Sequence, residues 1–250
     1  MSRRRVIRPD WPAPVGALCS TRAGGVSGGP YAALNLGVAV GDKPAAVAAN
    51  RERFAGALNG AQPLWLRQVH GAKVVKADAA ALAAAAPEAD AAWTDEPGVA
   101  CVVQVADCLP VLLAHPQGRG VAAAHAGWRG LAGGVIDAAV VALCEGTGAD
   151  PGDLLAWLGP CIGLAAFEVG ADVLDAFADD AAFFVHTPRA NGDARWHADL
   201  AGLARRRLFR LGPRRVHGGG WCTVNDPSRF FSYRRDGVTG RLAAAIWRHA

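Results

Sequence analysis

Apolar residues recur along the chain at two spacings, and these spacings predict the secondary structure. Several segments place a capping residue before apolar positions three or four residues apart, which is typical of amphipathic helices. The main predicted helices start at Asp42 with Pro44 in the first turn and end at Asn59-Gly60, run from about Gly130 to Glu145, and run from Asp199 to Leu211. Further helices are predicted over Ala79 to Ala86, near Glu168, and after Thr239, with Leu242 and Ile246 on one face.

Short apolar runs that contain β-branched residues predict strands. We expect them at Leu64 to Val69, Lys73 to Lys76, Val99 to Val105, Val111 to Ala114, Val121 to Ala124, Leu154 to Leu158 and Arg215 to Thr223. Strands and helices are interspersed without a strict alternation, which favours an α+β fold with mixed β-sheets flanked by helices over a doubly wound parallel sheet. No repeat or long linker interrupts the chain, so residues 1–250 are predicted to form a single domain.

Composition narrows the class of protein. The chain has 250 residues, of which 52% are hydrophobic and 19% are charged, so it can bury a sizeable core and is not an intrinsically disordered chain. The net charge of +4 is too mild to indicate a dedicated nucleic-acid binder, but it is compatible with an anionic small substrate.

The predicted compartment is the cytoplasm. No apolar stretch is long enough to span a membrane, so no membrane association is expected. Ser2 to Arg5 resembles the basic start of a signal peptide, but no apolar region follows it. The six cysteines form no Cys-x-x-Cys pair and are expected to be reduced thiols, most of them buried.

Three polar segments interrupt apolar strands and carry metal-ligand side chains. They are Arg67 to Gly71, Ala106 to Pro110 and His125 to Gly130, and they contain His70, Cys108 and His125. Two imidazoles and one thiolate suit Zn²⁺ and leave its fourth position open, as a catalytic site requires. Spacing alone does not bring the three together, so two partly buried histidines and a core cysteine remain the alternative. The other five histidines are not expected to be ligands.

Arginine-rich segments are candidates for anion binding. The glycine-rich segment Thr21 to Ser27 can form a backbone anion nest with Arg22 beside it, or an ordinary turn. Arg234, in the segment Phe230 to Asp236, can hold an anion or belong to a solvated turn. Arg205 to Arg207 and Arg210 lie on one predicted helix, which favours a solvated helix face over an RNA contact.

Taken in order, these segments resemble the laccase-domain family, also called multicopper polyphenol oxidase-like proteins, whose members are described as purine nucleoside phosphorylases. The matching motifs are spread over most of the chain. They are Thr21 to Ser27, Asn35-Leu36-Gly37, Asn50-Arg51, Gln68 to Gly71, Ala106 to Pro110, His125 to Gly130, Gly159 to Ile162, Phe167 to Gly170, Cys222-Thr223, Phe231 to Asp236 and Thr239 to Arg241.

The resemblance implies a zinc site formed by His70, Cys108 and His125, the same three residues that ligand chemistry selects. It also implies phosphorolysis of adenosine, inosine, guanosine and methylthioadenosine, deamination of adenosine, and a single α+β domain. Purine nucleosides and inorganic phosphate are the expected partners, and the oligomeric state is left open. Some relatives are instead labelled peptidoglycan editing factors.

Catalytic roles can be predicted on this basis. For deamination, zinc would acidify the water that attacks C6 of adenosine. The His-x-Glu and Pro-Cys-x-x-Cys signatures of cytidine-type deaminases are absent, so Asp107 is the candidate acid/base. Its alternative role is to position the neighbouring ligand or to form the turn. For phosphorolysis, Arg22 is the first candidate to hold phosphate, followed by Arg129 and Arg234.

Other functions stay open at this point. A four-copper oxidase needs about ten histidines, and this chain has seven with no His-x-His, so copper is expected only as an in vitro substitute for zinc. A cysteine hydrolase would use Cys108 as nucleophile and His125 as base. A non-catalytic partner acting on cell-wall precursors and an RNA-binding module are the remaining alternatives.

Overall fold

Two β-sheets packed face to face form the centre of the computed structural model, which describes residues 6–249. The basic segment Ser2 to Arg5 lies outside the described residues. The strands are β1 Val6–Ile7, β2 Gly16–Ser20, β3 Gln62–Leu64, β4 Val74–Lys76, β5 Ala91–Thr94, β6 Val99–Val105, β7 Leu109–Ala114, β8 Val121–Ala126, β9 Leu155–Leu158, β10 Glu168–Val169, β11 Phe184–His186, β12 Trp196–Ala198, β13 Arg215–Gly218 and β14 Leu242–Trp247. The α-helices are α1 Pro44–Ala55, α2 Ala79–Ala83, α3 Trp128–Ala132, α4 Val135–Thr147, α5 Ala171–Asp175, α6 Leu200–Leu211 and α7 Tyr233–Asp236.

The strands form one sheet in the order β1-β2-β14-β6-β3 and another in the order β13-β9-β7-β8-β5-β4, and a small third sheet has the order β10-β12-β11. Each large sheet mixes parallel and antiparallel pairs. This architecture confirms the predicted α+β class with mixed sheets flanked by helices.

Three hydrophobic cores divide the molecule into four layers. The middle core lies between the two large sheets and includes Val103 of β6 and Leu112 of β7. The outer face of the β13–β4 sheet is covered by α4 and α6, and that of the β1–β3 sheet by α1 through Phe54. Because the central strands are covered on both faces, β6, β7 and β14 read as nearly continuous apolar runs instead of alternating ones.

Most of the predicted elements are present with shifted ends. The strand at Val99–Val105 and the helix capped by Asp199 match the predictions, and the alanine run forms α2. The strand predicted from Leu64 to Val69 lies earlier, at Gln62–Leu64, and shares only Leu64 with the prediction, because the residues after Leu64 form the loop that carries His70. Likewise, β13 ends at Gly218 instead of continuing to Thr223.

Several predictions were wrong for identifiable reasons. The segment after Thr239 is not a helix but β14, a strand paired on both sides with β2 and β6. Its alanine-rich sequence has a helical propensity that burial between two strands overrides. The long helix predicted from Gly130 is two helices, since Gly134 adopts a left-handed conformation (φ 88°) between them. Glu168 starts β10, and the helix there begins only at Ala171.

Within residues 6–249, none of the helices has both the length and the apolar character needed to cross a bilayer.

Candidate metal centre and the cavities beside it

Three loops and strands bring the predicted ligands His70, Cys108 and His125 together. Cys108 lies in the crossover between β6 of one sheet and β7 of the other, and His125 lies on β8 opposite Pro110 of β7. Their ligand atoms and those of His70 all lie within 4.8 Å of one another. The structure therefore brings together three residues of which the outermost, His70 and His125, are 55 positions apart in the sequence.

The loop that carries His70 is fixed to the sheets at two points. The side chain of Gln68 forms two hydrogen bonds with the backbone of Gln104 on β6, at 2.9 and 2.7 Å. The carboxylate of Asp90 accepts hydrogen bonds from the backbone N–H groups of Val69, His70 and Gly71 at 3.2, 2.9 and 2.7 Å. These bonds hold the loop against the end of the sheet although it has no strand structure of its own.

Asp90 also orients the second imidazole. Its Oδ1 lies 2.8 Å from Nδ1 of His125, and the carboxylate is fully buried. A ligating histidine whose other ring nitrogen is bonded to a carboxylate has its ring orientation and tautomer fixed. One buried carboxylate thus positions both histidines, through the backbone of one and the ring of the other.

The three donors fit a transition metal. The Sγ atom of Cys108 lies 3.8 Å from Nε2 of His70. Tetrahedral Zn²⁺ with its usual bond lengths to sulfur and nitrogen would hold such atoms about 3.6 Å apart. The donor set of two imidazoles and one thiol suits zinc and copper better than it suits magnesium or calcium. These residues can therefore hold one such ion with small adjustments.

The two neighbouring histidines favour the thiolate form of Cys108. Burial alone raises the pKa of Cys108, but the neighbouring His125 and His70 outweigh burial and set the pKa at about 6. Burial lowers the pKa of His125, and its contacts with Asp90 and Cys108 raise it to about 9. In the metal-free protein, Cys108 is therefore mainly a thiolate at neutral pH, which is the form that binds metals.

Backbone geometry at the cluster is unusual. Among the described residues, three non-glycine residues have a positive φ, and two of them are His70 (61°) and Asp107 (95°). Such conformations are costly for ordinary residues and concentrate at functional sites. A Cβ added to Gly127 would lie 2.9 Å from the sulfur of Cys108, so only glycine lets the chain pass this close.

Asp107 joins the metal loop to two other segments. It accepts hydrogen bonds from the hydroxyl of Thr223 at 2.5 Å and from the backbone N–H of Arg234 at 2.6 Å. Its own carbonyl accepts from the N–H of Ile162. Asp107 therefore fixes α7 beside the cluster, and it is one of the residues that line the adjoining cavity.

Two cavities meet at the cluster. The smaller has a volume of about 210 Å³ and is lined by Asp107, Trp128, Phe167 and the predicted substrate-binding residues Arg129 and Arg234. The larger has a volume of about 680 Å³, and its lining includes residues 37–40, Arg51 and Trp65. His70, Ala106, Cys108 and Tyr233 line both cavities. A substrate in either cavity can therefore reach the cluster.

Arg22 is placed elsewhere. Its Nε donates to the carbonyl of Ala32 at 2.8 Å and its Nη1 to that of Pro227 at 2.9 Å. The guanidinium also stacks over Phe231, 4.7 Å from the ring centroid, and it is not among the residues that line either cavity. These contacts give Arg22 a role in fixing the glycine-rich loop, while its predicted phosphate contact stays a prediction.

The basic helix α6 is largely neutralised by neighbouring groups. Arg207 pairs with Asp137, and Arg206 and Arg210 pair with Asp180. Arg205 donates to two backbone carbonyls of β13. This arrangement agrees with the predicted solvated helix face.

Sequence reasoning missed several residues of the site. Asp90 was overlooked, although a single carboxylate within the apolar run 89–92 is a recognisable sign of a buried polar role. The sequence assigns no role to four further residues that line the larger cavity, Arg51, Trp65, Tyr233 and Arg241. Nothing local in the sequence indicates that they face the cluster, because their elements are distant in the chain.

Several known proteins are similar to this chain over nearly its whole length. The family model described as multi-copper polyphenol oxidoreductase laccase matches residues 16–249. A Pseudomonas aeruginosa protein named purine nucleoside phosphorylase is 51% identical over 246 residues, which cover 96% of this chain and 97% of that protein. Purine nucleoside phosphorylase YfiH of Escherichia coli is 46% identical over 251 residues, covering 97% of this chain and 98% of YfiH.

Solved structures show the same fold. The Neisseria meningitidis protein NMB0706 superposes with a TM-score of 0.90 at 46% identity, and the match covers 98% of this chain and all of that one. YlmD from Geobacillus stearothermophilus has a TM-score of 0.90 at 32% identity, covering 100% of this chain and 98% of YlmD.

Proposed function

Because the chain belongs to the family described as multi-copper polyphenol oxidoreductase laccase, and its relatives at 42–51% identity include proteins named purine nucleoside phosphorylase, we propose that residues 1–250 form one domain with purine nucleoside phosphorylase activity. The observation that carries this proposal is the His70, Cys108 and His125 cluster at the junction of two cavities. The family resemblance inferred from the sequence is confirmed.

We propose zinc as the metal. His70, Cys108 and His125 would hold it, and a zinc ion bound there would supply a Lewis acid beside the cavities. Four-copper chemistry, which the family's description suggests, is not supported by the ligands. The chain has seven histidines, and the five outside the cluster lie apart from it. For example, His115 bonds with Arg119, and His197 with Thr187.

Phosphorolysis breaks the glycosidic bond between C1′ of the ribose and N9 of the purine, forms a bond between C1′ and a phosphate oxygen, and returns a proton to the base. The protein must hold nucleoside and phosphate in line and exclude water, which competes as nucleophile. Arg129 and Arg234 line the smaller cavity, and we propose that they contact substrate there. Arg129 stacks on Trp128 at 4.3 Å, and Arg234 donates to the carbonyl of Glu168, so both are held in place.

Adenosine deamination is the proposed second activity. Water adds at C6, ammonia leaves, and protons must pass between them. Asp107 stays our candidate for this proton transfer, because it lines the smaller cavity next to Cys108 and its carboxylate is held by Thr223 and Arg234. Among the described residues that line the smaller cavity, Asp107 is the only one with a carboxylate.

The test is an assay of the purified protein with adenosine, with and without inorganic phosphate. We expect adenine and ribose 1-phosphate only when phosphate is present, inosine and ammonia in both conditions, and loss of both activities after chelation. If adenosine, inosine and guanosine are all left unchanged by the metal-loaded protein, the proposed function is wrong.

A cysteine hydrolase is the second candidate, and one observation favours it. His125 lies between the carboxylate of Asp90 and the thiol of Cys108, whose pKa is about 6, which is the order of orienter, base and nucleophile in a catalytic triad. Metal content separates the two functions, because a thiolate bound to zinc is not free to attack. If a metal-free preparation is as active as the metal-loaded protein, the hydrolase is favoured.

A further inference from the structure

The larger cavity is lined by two arginines that, among the described residues, have no carboxylate within ion-pair distance. Arg51 and Arg241 both line it, together with His70, Cys108 and His125 of the metal cluster. Within residues 6–249, no carboxylate forms an ion pair with either guanidinium. By contrast, Arg67, which lines the same cavity, is paired with Glu88.

Arg51 is directed into the cavity by α1. The preceding residue, Asn50, is buried and bonds to Ser27 and to the carbonyls of Ala33 and Asn35, which fixes the register of the helix against the neighbouring loop. The Nε of Arg51 donates to the carbonyl of Leu36 at 3.0 Å. Its guanidinium stacks on Trp65, 3.9 Å from the ring centroid. Burial lowers the pKa of Arg51 to about 10, which reflects an incompletely solvated charge.

Arg241 reaches the same cavity from the residue before β14. Its Nη1 donates to the carbonyls of Thr239 and Gly240, both at 3.1 Å, so the side chain is folded back along its own segment. A Cβ on Gly37 would lie 2.7 Å from Cγ of Arg241, and glycine at this position therefore leaves room for the arginine. Burial is also the main cause that lowers the pKa of Arg241.

The two arginines are tied to one residue. The Leu36 carbonyl accepts from the Arg51 side chain, and the Leu36 N–H donates to the Arg241 carbonyl at 3.1 Å. This segment is itself rigid, because the amide oxygen of Asn35 accepts from the N–H groups of Gly37 and Arg241. The backbone segments that carry Arg51 and Arg241 are therefore both anchored at Leu36, beside the same cavity.

Partly buried positive charges without a counter-ion are costly unless a ligand supplies the negative charge. Guanidinium groups bind phosphoryl oxygens through paired, charge-assisted hydrogen bonds. We infer that Arg51 and Arg241 form the subsite for a phosphoryl group in the larger cavity, next to the metal cluster. This inference rests on the proposed function and adds to it the place of the phosphate. Arg129 and Arg234 in the smaller cavity then contact the nucleoside.

Binding and kinetics of Arg51→Gln and Arg241→Gln test the subsite. Inorganic phosphate and adenosine 5′-monophosphate are titrated separately by calorimetry into wild-type and variant protein, which separates free phosphate from the phosphate of a nucleotide. We expect each variant to weaken binding of the phosphoryl ligand that the wild type binds by roughly tenfold or more, the effect of losing one charge-assisted hydrogen bond. The KM for phosphate should rise with it, and it should rise by a larger factor than the KM for the nucleoside.

Arg53→Gln is the matched control. Arg53 is exposed on the same helix, donates to the carbonyl of Gly24 and does not line the cavity, so phosphate binding should be unchanged. Zinc content and the thermal midpoint show whether each variant is folded. In the wild type, modification of Arg51 and Arg241 by phenylglyoxal, mapped by mass spectrometry, should be slowed by phosphate and not by chloride, which tests the subsite without any variant.

The outcomes separate the subsite from the proposed function. If the wild type binds phosphate but turns over no nucleoside, and both variants lose phosphate binding, the subsite is supported and the phosphorylase is contradicted. Nucleoside phosphorolysis with an unchanged phosphate KM in both variants overturns the subsite and leaves the phosphorylase standing. A rise in that KM for Arg22→Ala alone would move the phosphate to the glycine-rich loop and also overturn the inference.

Discussion

At the scale of single residues, the centre depends on a few side chains that hold others in place. His70, Cys108 and His125 supply the donor atoms, whereas Asp90 and Asp107 fix the loops around them. The chemical type of the three donors makes them candidates in the sequence, and the resemblance to the laccase-domain family implies the same set. Asp90 was not selected, because its four partners come from two separate parts of the chain and are recognised only in the fold.

The thiol of Cys108 should be the most reactive cysteine in metal-free protein. Its pKa is about 6, whereas burial raises the pKa of Cys19 to about 12 and raises that of Cys161 as well. Alkylation of Cys108 by iodoacetamide should follow pH with a midpoint near 6 instead of the usual value of about 8.5. Peptide mass spectrometry after timed labelling measures this. A midpoint above 8, or no protection by added zinc, would contradict the described environment.

Asp90→Asn should weaken metal binding. The substitution keeps the shape but removes the charge, and it places an amide where the backbone N–H groups of residues 69–71 need an acceptor. We expect a loss of about 10- to 100-fold in zinc affinity and about 1–3 kcal/mol in stability. Competition with a chromogenic chelator measures the affinity. Asp150→Asn, at an exposed turn capped by that residue, is the control and should bind zinc as the wild type does. If Asp90→Asn and Asp150→Asn bind zinc with equal affinity, Asp90 does not support the metal site.

At the scale of elements, the site lies where chain segments leave the sheets. Cys108 lies between β6 and β7, which belong to different sheets, and Gly127 is the residue between β8 and α3. Apolar runs predicted the strands that flank these turns, but they did not predict which strands pair. The helix predicted after Thr239 was wrong for the same reason, since pairing with β2 and β6 decides the structure of that segment.

Gly127→Ala tests the turn between β8 and α3. The new methyl group would lie 2.9 Å from the Cys108 sulfur and 3.1 Å from Cδ2 of His70, so at least one ligand must move. Zinc affinity should fall by about tenfold or more, by analogy with other changes that reorient ligands. The same chelator competition measures it. Gly28→Ala is the control, because nothing lies within 4 Å of its added Cβ. Unchanged affinity in Gly127→Ala would show that the ligands are less closely packed than described.

At the scale of the whole molecule, two packed sheets with helices outside form a rigid support for one crossover and the loops around it. Burial of both faces of the central strands accounts for much of the 52% hydrophobic content of the chain. The fold class followed from the order of apolar runs. The sequence did not predict the arrangement of the layers or the link from Arg51 through Leu36 to Arg241, because both depend on contacts between residues far apart in the chain.

The metal content of purified wild type, Cys108→Ala and Cys144→Ala is the most direct test of the centre. Cys144 is a half-buried thiol on α4 outside the cluster, so it controls for the loss of any cysteine. Two imidazoles are too few to hold zinc tightly, whereas a site with an open position contributes little to folding. Elemental analysis should therefore give about one zinc per chain in the wild type and in Cys144→Ala, and little in folded Cys108→Ala. Stoichiometric zinc in Cys108→Ala would contradict the proposed centre.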